Sequence, residues 1–497
     1  MTLHLRRHDV AFQPDSSRII MRPFIPPNSH QVSNMIGRIL SLSEEESNHE
    51  MEILRNDFAE RHLNFESRLM EIYQAVSPKV FTQRPISRTR QLLIGATFSG
   101  EYAVESAALF NPSMIAHPNQ TGVPEGCLRF IMSLRATGEG HISSIEFRTG
   151  MIAADGNIAM DPISRFVALP DVVPNPTYQK KLFIIKLHEM GFENARVGEG
   201  YAGEVMKPLA ENFTLRDLDD SVRQVRRLYQ PVPREMKLTL ECIHWLAVSN
   251  YELHFDDKLA LSERVIFPVS PNESNGIEDA RFVRFTEDDG KVTKVTYYAT
   301  YTAYNGHVIL PQLIETQDFL NFRVLTLNGN AVQNKGLALF PRRIDGRYAM
   351  LSRQDDENLF IMFSDNPHYW NDPQMILRPA ETWESVKVGN CGSPVETEAG
   401  WIVLTHGVGP MRRYSIGAIL LDLKDPTKVI GRLREPLIVP EGAGREGYVP
   451  NVVYSCGSML HGRDHASMEL ILPYAMSDRV SVVVSVRLDE LLATLKG

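Results

Sequence analysis

Cysteine is scarce: Cys127, Cys242, Cys391 and Cys456 stand far apart in a chain of 497 residues, with no Cys-x-x-Cys spacing. That argues against a disulfide framework and a structural zinc site, and fits reduced, buried thiols in a cytoplasmic protein. No apolar run reaches the length of a membrane helix, and the basic N-terminus is followed by no apolar core of signal-peptide length. Excess positive charge is also missing: the net charge is −9, which provides no field for holding nucleic acid. His-Glu-x-x-His, EF-hand, P-loop, dinucleotide-fingerprint and Gly-x-Ser-x-Gly motifs do not occur. The sequence therefore offers no metal motif, no nucleotide cradle and no hydrolase elbow. What is present is ordinary globular composition, 43% hydrophobic and 23% charged, in a chain long enough for more than one structural unit.

Residues 1 to about 30 are expected to be irregular, since Pro23, Pro26 and Pro27 interrupt any helix. Ser43-Glu44-Glu45-Glu46 then starts a helix, with acids in its first turn. Met51, Leu54, Phe58, His62, Phe65, Leu69 and Ile72 follow at spacings of three and four, one face of a long amphipathic helix. Residues 1–90 thus form an N-terminal helical extension, whose apolar stripe is expected to join copies of the chain into a homo-oligomer. From residue 91 to 497 the rhythm is that of strands, beginning with residues 92–96, 128–134 and 142–147. A helical insertion at about 172–250 interrupts it, with helices over 178–190, 215–229 (Thr214 as N-cap) and 238–248. After 250, short apolar strands and turn signals alternate to the end, which predicts a mainly β fold: a sandwich, a barrel or a propeller. No strict sequence repeat separates these three.

The chemistry-bearing stretch is Asn275-Gly276-Ile277-Glu278-Asp279-Ala280-Arg281-Phe282. Two adjacent carboxylates sit beside an arginine where a strand begins, and Gly276 supplies the turn before them. In an extended segment Glu278 and Asp279 point to opposite faces, so one of them faces a given pocket. Taken alone, the stretch reads first as a charged turn before a strand. Further candidates stand at later strand ends: Lys335, Arg353, Lys387 and His406, with Tyr414 shortly after. Each alone reads as a solvated charge or a structural histidine.

Together these segments resemble glycoside hydrolase family 130, the β-mannoside phosphorylases with some β-mannosidases among them. The resemblance rests on residues 264–268 with 275–281, on Tyr301-Thr302-Ala303-Tyr304, on residues 339–348 and on His406-Gly407-Val408. It implies a five-bladed β-propeller with the site at its axis. It also implies an inverting reaction in which inorganic phosphate attacks C1 of a terminal β-mannosyl unit, giving α-mannose 1-phosphate. Asp279 takes the position of the catalytic acid, which in the family passes its proton through the sugar 3-hydroxyl. Lys335, Arg353, Lys387 and His406, with Tyr414, take the phosphate-binding positions, and Asn111, Arg135 and Asp478 those of sugar contacts. Three departures stand out. Lys335 replaces a common arginine, Gly336 a common asparagine, and Ser352 a histidine frequent in compact members.

Phosphate is already an anionic nucleophile, so such a site needs cations to hold it and no general base, whereas an inverting hydrolase needs a second carboxyl for water. Neither cofactor nor metal is implied; phosphate is a co-substrate. Burial or Glu278 would raise the Asp279 pKa as an acid requires, and Arg281 would oppose that. A β-mannosidase on the same scaffold is the alternative, but hydrolytic members lack the basic cluster kept here. A non-catalytic sugar-binding propeller is a third reading, opposed by Asp279. The stretches 334–341 and 351–358 resemble the larger enzymes acting on β-1,2-oligomannosides, with β-1,4-mannosides as the alternative substrate.

Overall fold

A computed structural model of the chain describes residues 3–496 apart from 83, 174–175, 191–199, 289, 291, 305–308 and 465–466. Five antiparallel sheets of four to six strands dominate it. The first runs from Ala108–Ala116 through Leu128–Thr137 and Ser143–Ile152 to Val265–Ile266. The second starts at Ile277–Asp288 and Thr293–Tyr304, the third at Ala338–Leu339 and Tyr348–Ser352. The fourth starts at Lys387–Asn390 and Gly400–Val408, and the fifth at Val453–Tyr454 and Glu469–Met476. Neighbouring sheets touch in cyclic order. Ala108–Ala116 meets Ile277–Asp288, Thr293–Tyr304 meets Ala338–Leu339, and Tyr348–Ser352 meets Lys387–Asn390. Tyr414–Leu421 meets Val453–Tyr454, and Glu469–Met476 returns to Ala108–Ala116. Apolar side chains fill the seams: Phe147, Phe282, Phe319 and Phe322 lie between the first and second sheets, Phe340 and Trp401 between the third and fourth.

The mainly β expectation is met, while several local expectations need correction. The first residues are not irregular. Leu5–Phe12 pairs with Val480–Arg487 and so completes the fifth sheet, and Asp15–Pro23 pairs with Ser99–Glu105. The prolines that suggested irregular chain lie at or beyond the end of the second strand, where no ladder hydrogen bond is lost. Residues 92–96 are helical, within Arg88–Thr97, whose N-cap Ser87 accepts the Arg90 N–H. A short apolar run does not distinguish a buried strand from a buried helix. Here Gly95 decides the packing, because a β-carbon on it would stand 2.0 Å from the Leu69 carbonyl oxygen. The long amphipathic helix is two helices, Glu44–Phe58 and Phe65–Val76, broken at Asn64, which has φ +55°. Ser43 and Glu46 cap the first helix reciprocally. The apolar stripe is consumed within the chain: Met51, Leu69 and Ile72 are buried together with Leu92, Leu93 and Ile94. It is therefore not the face expected to join a second subunit.

The insertion is helical, with Lys180–Glu189, Gly200–Met206, Leu215–Leu228 and Arg234–Val248 around their own core of Phe183, Leu187, Leu218, Leu240 and Ile243. Thr214 caps the third helix as expected. Among the described residues no helix is long and apolar enough to cross a membrane. All four cysteines are free thiols; Cys391 and Cys456 are buried, while Cys127 and Cys242 are half-buried.

The N-terminal strand Asp15–Pro23 is held to the first sheet by a buried cluster of two arginines and two glutamates. Arg18 Nε lies 2.9 Å from Glu105 and its Nη2 2.6 Å from Glu146; Arg148 reaches the same pair at 2.6 and 2.9 Å. Burial, then the charge of Glu146, pushes the Glu105 carboxyl up to about 8 against the two arginines. Removing Arg18 leaves Glu105 and Glu146 to share Arg148 alone in a buried site. Arg18→Ala is expected to lower unfolding free energy in urea by about 3–5 kcal/mol; a loss below about 1 kcal/mol would show that the cluster holds nothing.

Candidate functional site

The site forms where strands of all five sheets meet. Its first part is set by a fully buried carboxylate, Glu273, which accepts hydrogen bonds from the Tyr251 and Tyr301 hydroxyls and from the Val269 and Ser270 amides. This fixes the turn Pro271–Glu273. The chain then passes so close to the first sheet that a β-carbon on Gly276 (φ +121°) would stand 2.5 Å from the Ser143 nitrogen. Ser143 Oγ donates to the Ile277 carbonyl at 2.9 Å, which anchors the start of Ile277–Asp288.

The pairing of that strand slips between Glu278 and Arg281, and Asp279 sits in the left-handed region at φ +56°. The neighbouring strand Ala108–Ala116 slips in the same way between Phe110 and Ser113, with Asn111 at φ +49°. These bulges overturn the expected alternation of faces. Arg135 donates to Glu278 Oε1 at 3.0 Å while its other terminal nitrogen lies 3.5 Å from Asp279 Oδ1. Both carboxylates therefore face the same Arg135 guanidinium, re-aimed by the extra residue of the bulge. Asn111 Nδ2 donates to Asp279 Oδ1 at 2.6 Å, and Asn111 Oδ1 has no hydrogen-bond partner among the described residues. Lys335 Nζ binds Glu278 Oε2.

Asp279 does not show the raised pKa expected of an acid. Burial pushes it up, but Arg135, Arg281, the Asn111 hydrogen bond and Lys335 outweigh burial and hold it below the usual carboxylate range. The carboxyl of the site whose pKa is raised is Asp478. Burial, then the negative charge of Asp279, raises it to about 7 against Arg135 and Arg412.

The second part lies across the third and fourth sheets. Arg353, at the end of Tyr348–Ser352, donates from Nη1 to His406 Nε2 at 2.8 Å and from Nη2 to Asp356. A guanidinium can only donate, so His406 Nε2 accepts, and its Nδ1–H donates to the Asn390 carbonyl at 3.2 Å. The imidazole is thus neutral. Burial first, then Arg353, Arg281 and Lys387, holds its pKa well below the ordinary value. The expected cluster of cations accordingly holds three, with Lys335 already on Glu278. Lys387 Nζ lies 2.9 Å from Asp356 Oδ2. The Tyr414 ring stacks on His406 with centroids 6.0 Å apart.

A side-chain chain joins the two parts. Arg281 donates to the Asp279 carbonyl at 3.2 Å and to the Tyr454 hydroxyl at 2.6 Å; the Tyr454 ring lies 5.0 Å from that of His406, which holds Arg353. Tyr454 and Asp356 have no sequence signal of their own: one ends an apolar run, the other sits in an acidic turn. Gly336, where an asparagine is common, has a role in space. Its φ is +93°, and a β-carbon there would come within 3.1 Å of Arg353 Cδ. A β-carbon on Gly389 would stand 2.4 Å from the same atom.

Residues 240–497, just over half of the chain, match the glycoside hydrolase 130 family model, described as beta-1,4-mannooligosaccharide phosphorylase. A 1,2-beta-oligomannan phosphorylase of Thermoanaerobacter sp. (strain X514) is 38% identical over 216 residues, covering 43% of this chain and 69% of that protein. A beta-1,2-mannobiose phosphorylase of the same strain is 34% identical over 227 residues, covering 43% and 68%. Among solved structures, the beta-1,2-mannobiose phosphorylase of Listeria innocua in complex with beta-1,2-mannobiose is 19% identical. It covers 80% of this chain and 93% of that one, with a TM-score of 0.45.

The close approach at Gly276 gives a direct check on how the carboxylates are placed. Gly276→Ala meets Ser143 and a backbone angle that L-residues avoid, so stability should fall by about 1–3 kcal/mol in urea unfolding. Turnover should fall more than the stability loss explains, because Asp279 lies three residues on. A variant as stable and active as the parent would remove this account of the turn.

Proposed function

The chain belongs to glycoside hydrolase family 130, and on that premise we propose that it is a phosphorylase of terminal β-mannosidic bonds, with β-1,2-oligomannosides as substrates. The observation that carries the reading is the pairing of a carboxylate site, Asp279 with Asn111 and Arg135, with a cation site, Arg353 and Lys387, through Arg281, Tyr454 and His406. The two 1,2-specific relatives, at 38% and 34% identity, favour that linkage over the 1,4-linkage in the family description. The five sheets in cyclic contact are read as five blades about one axis, closed by the N-terminal strand. Four free thiols support a reducing, cytoplasmic setting.

In the proposed reaction the mannosyl unit lies over Asp279, with Asn111, Arg135 and Asp478 on its hydroxyls. Phosphate, held by Arg353 and Lys387 with Lys335, His406 and Tyr414 beside it, attacks C1 from the face opposite the acceptor. The C1–O bond breaks, and the proton of Asp279 reaches the departing oxygen through the sugar 3-hydroxyl. The products are α-mannose 1-phosphate and a shortened acceptor. Contacts with Arg135, Arg281, Asn111 and Lys335 set the low pKa of Asp279. Sugar hydroxyls that engage Asn111 and Arg135 remove the contacts that stabilise the anion, and the arriving phosphate adds negative charge; both raise Asp279. Hydrolysis would need a base for water, and both oxygens of Glu278 are already engaged, by Arg135 and Lys335.

Initial rates with phosphate varied at saturating β-1,2-mannobiose test the reading. Arg353→Ala removes a charge-assisted contact worth roughly 1.5–3 kcal/mol, so kcat/KM for phosphate should fall about ten- to hundredfold. KM for mannobiose should hardly change. Asp279→Asn should bind mannobiose and lose about 10²–10⁴-fold in turnover. An unchanged phosphate dependence in Arg353→Ala would refute the phosphate site, and more than a tenth of parental kcat in Asp279→Asn would refute the acid.

A further inference from the structure

Asp356 occupies the place between the two cations of the second part of the site. One carboxylate oxygen takes Arg353 Nη2, and the other lies 2.9 Å from Lys387 Nζ. The residue stands on the turn between Tyr348–Ser352 and Leu359–Ser364, in the left-handed region at φ +59°, with its side chain half exposed. An Asp carboxylate spanning an arginine and a lysine presents to them the same two-oxygen edge that a phosphate would. We propose that Asp356 is a resident counter-ion that inorganic phosphate displaces, and so sets the affinity of the site for phosphate; the inference rests on the phosphorylase reading.

Charge favours this over a purely supporting role. Lys335 is compensated by Glu278, and His406 is neutral. Arg353 and Lys387 then bring two positive charges, of which Asp356 cancels one. Removing Asp356 should not release Arg353, which is wedged between Gly336 and Gly389 and held by His406. Nor should it release Lys387, whose backbone is fixed in the pairing with Val408. Arg353 therefore stays in place, Lys387 keeps its position on the strand, and both gain attraction for an anion. The left-handed angle at Asp356 is one that aspartate and asparagine tolerate, so the carboxamide variant adds no backbone strain.

The test uses the full chain with Asp356→Asn, Asp356→Ala and Asp356→Glu. Phosphorolysis of β-1,2-mannobiose is measured with phosphate varied, and binding of inorganic phosphate alone is measured by calorimetry. In the Asn and Ala variants KM and Kd for phosphate should fall about three- to tenfold, as expected for loss of one partly exposed competing ion pair. KM for mannobiose should stay within about twofold. The Glu variant, with its charge retained, should remain near the parent. An unchanged or raised phosphate KM and Kd in folded Asn and Ala variants overturns the counter-ion role and leaves the phosphorylase reading intact. A parent chain that cleaves mannobiose at the same rate without phosphate overturns both.

Discussion

The fork of Arg135 between Glu278 and Asp279 is the interaction on which the site depends. Two carboxylates adjacent in sequence point the same way only because the strand carrying them gives up its alternation, and a left-handed Asp279 costs about 1–3 kcal/mol. The surroundings enforce that angle. Glu273 collects four hydrogen bonds and fixes the preceding turn, Gly276 lets the chain pass against Ser143, and Asn111 closes on Asp279 from a matching bulge on the next sheet. Strain at a functional residue that its neighbours over-determine is a usual mark of a working site.

Electrostatics divides the site into unequal halves. Around Asp279 the arginines, Asn111 and Lys335 outweigh burial and hold this carboxyl below the usual carboxylate range, while Asp478 is raised to about 7. Around Arg353 the histidine is forced neutral by its neighbours, so it orients a cation instead of adding one. Arg281 and Tyr454 connect the halves. A change in charge on one side is therefore felt on the other, as expected where coupled groups share a dry interior.

Much of this was legible in the sequence because it is local. The alternation of strand segments gave the mainly β fold, Ser43 and Thr214 gave helix starts, and the Glu278-Asp279 stretch with its resemblance marked the site. What was not legible depends on partners far away in the chain. The apolar run at 92–96 could be strand or helix until the contact of Gly95 with Leu69 decided it. The strand Leu5–Phe12 owes its existence to an edge nearly 500 residues later, at Val480–Arg487. The common face of Glu278 and Asp279 follows from a bulge, which leaves no signature in composition. Tyr454 and Asp356 become site residues only through contacts that span sheets or turns.

In the proposed reaction a proton donor and a phosphate site lie on opposite sides of one sugar carbon. Phosphorus NMR of the purified chain with β-1,2-mannobiose and inorganic phosphate tests it most directly, by following the phosphate signal as the disaccharide disappears. Phosphorolysis yields α-mannose 1-phosphate, formed one-for-one with free mannose and with inversion at C1. A phosphate signal that stays unchanged while mannobiose is converted to free mannose would contradict it.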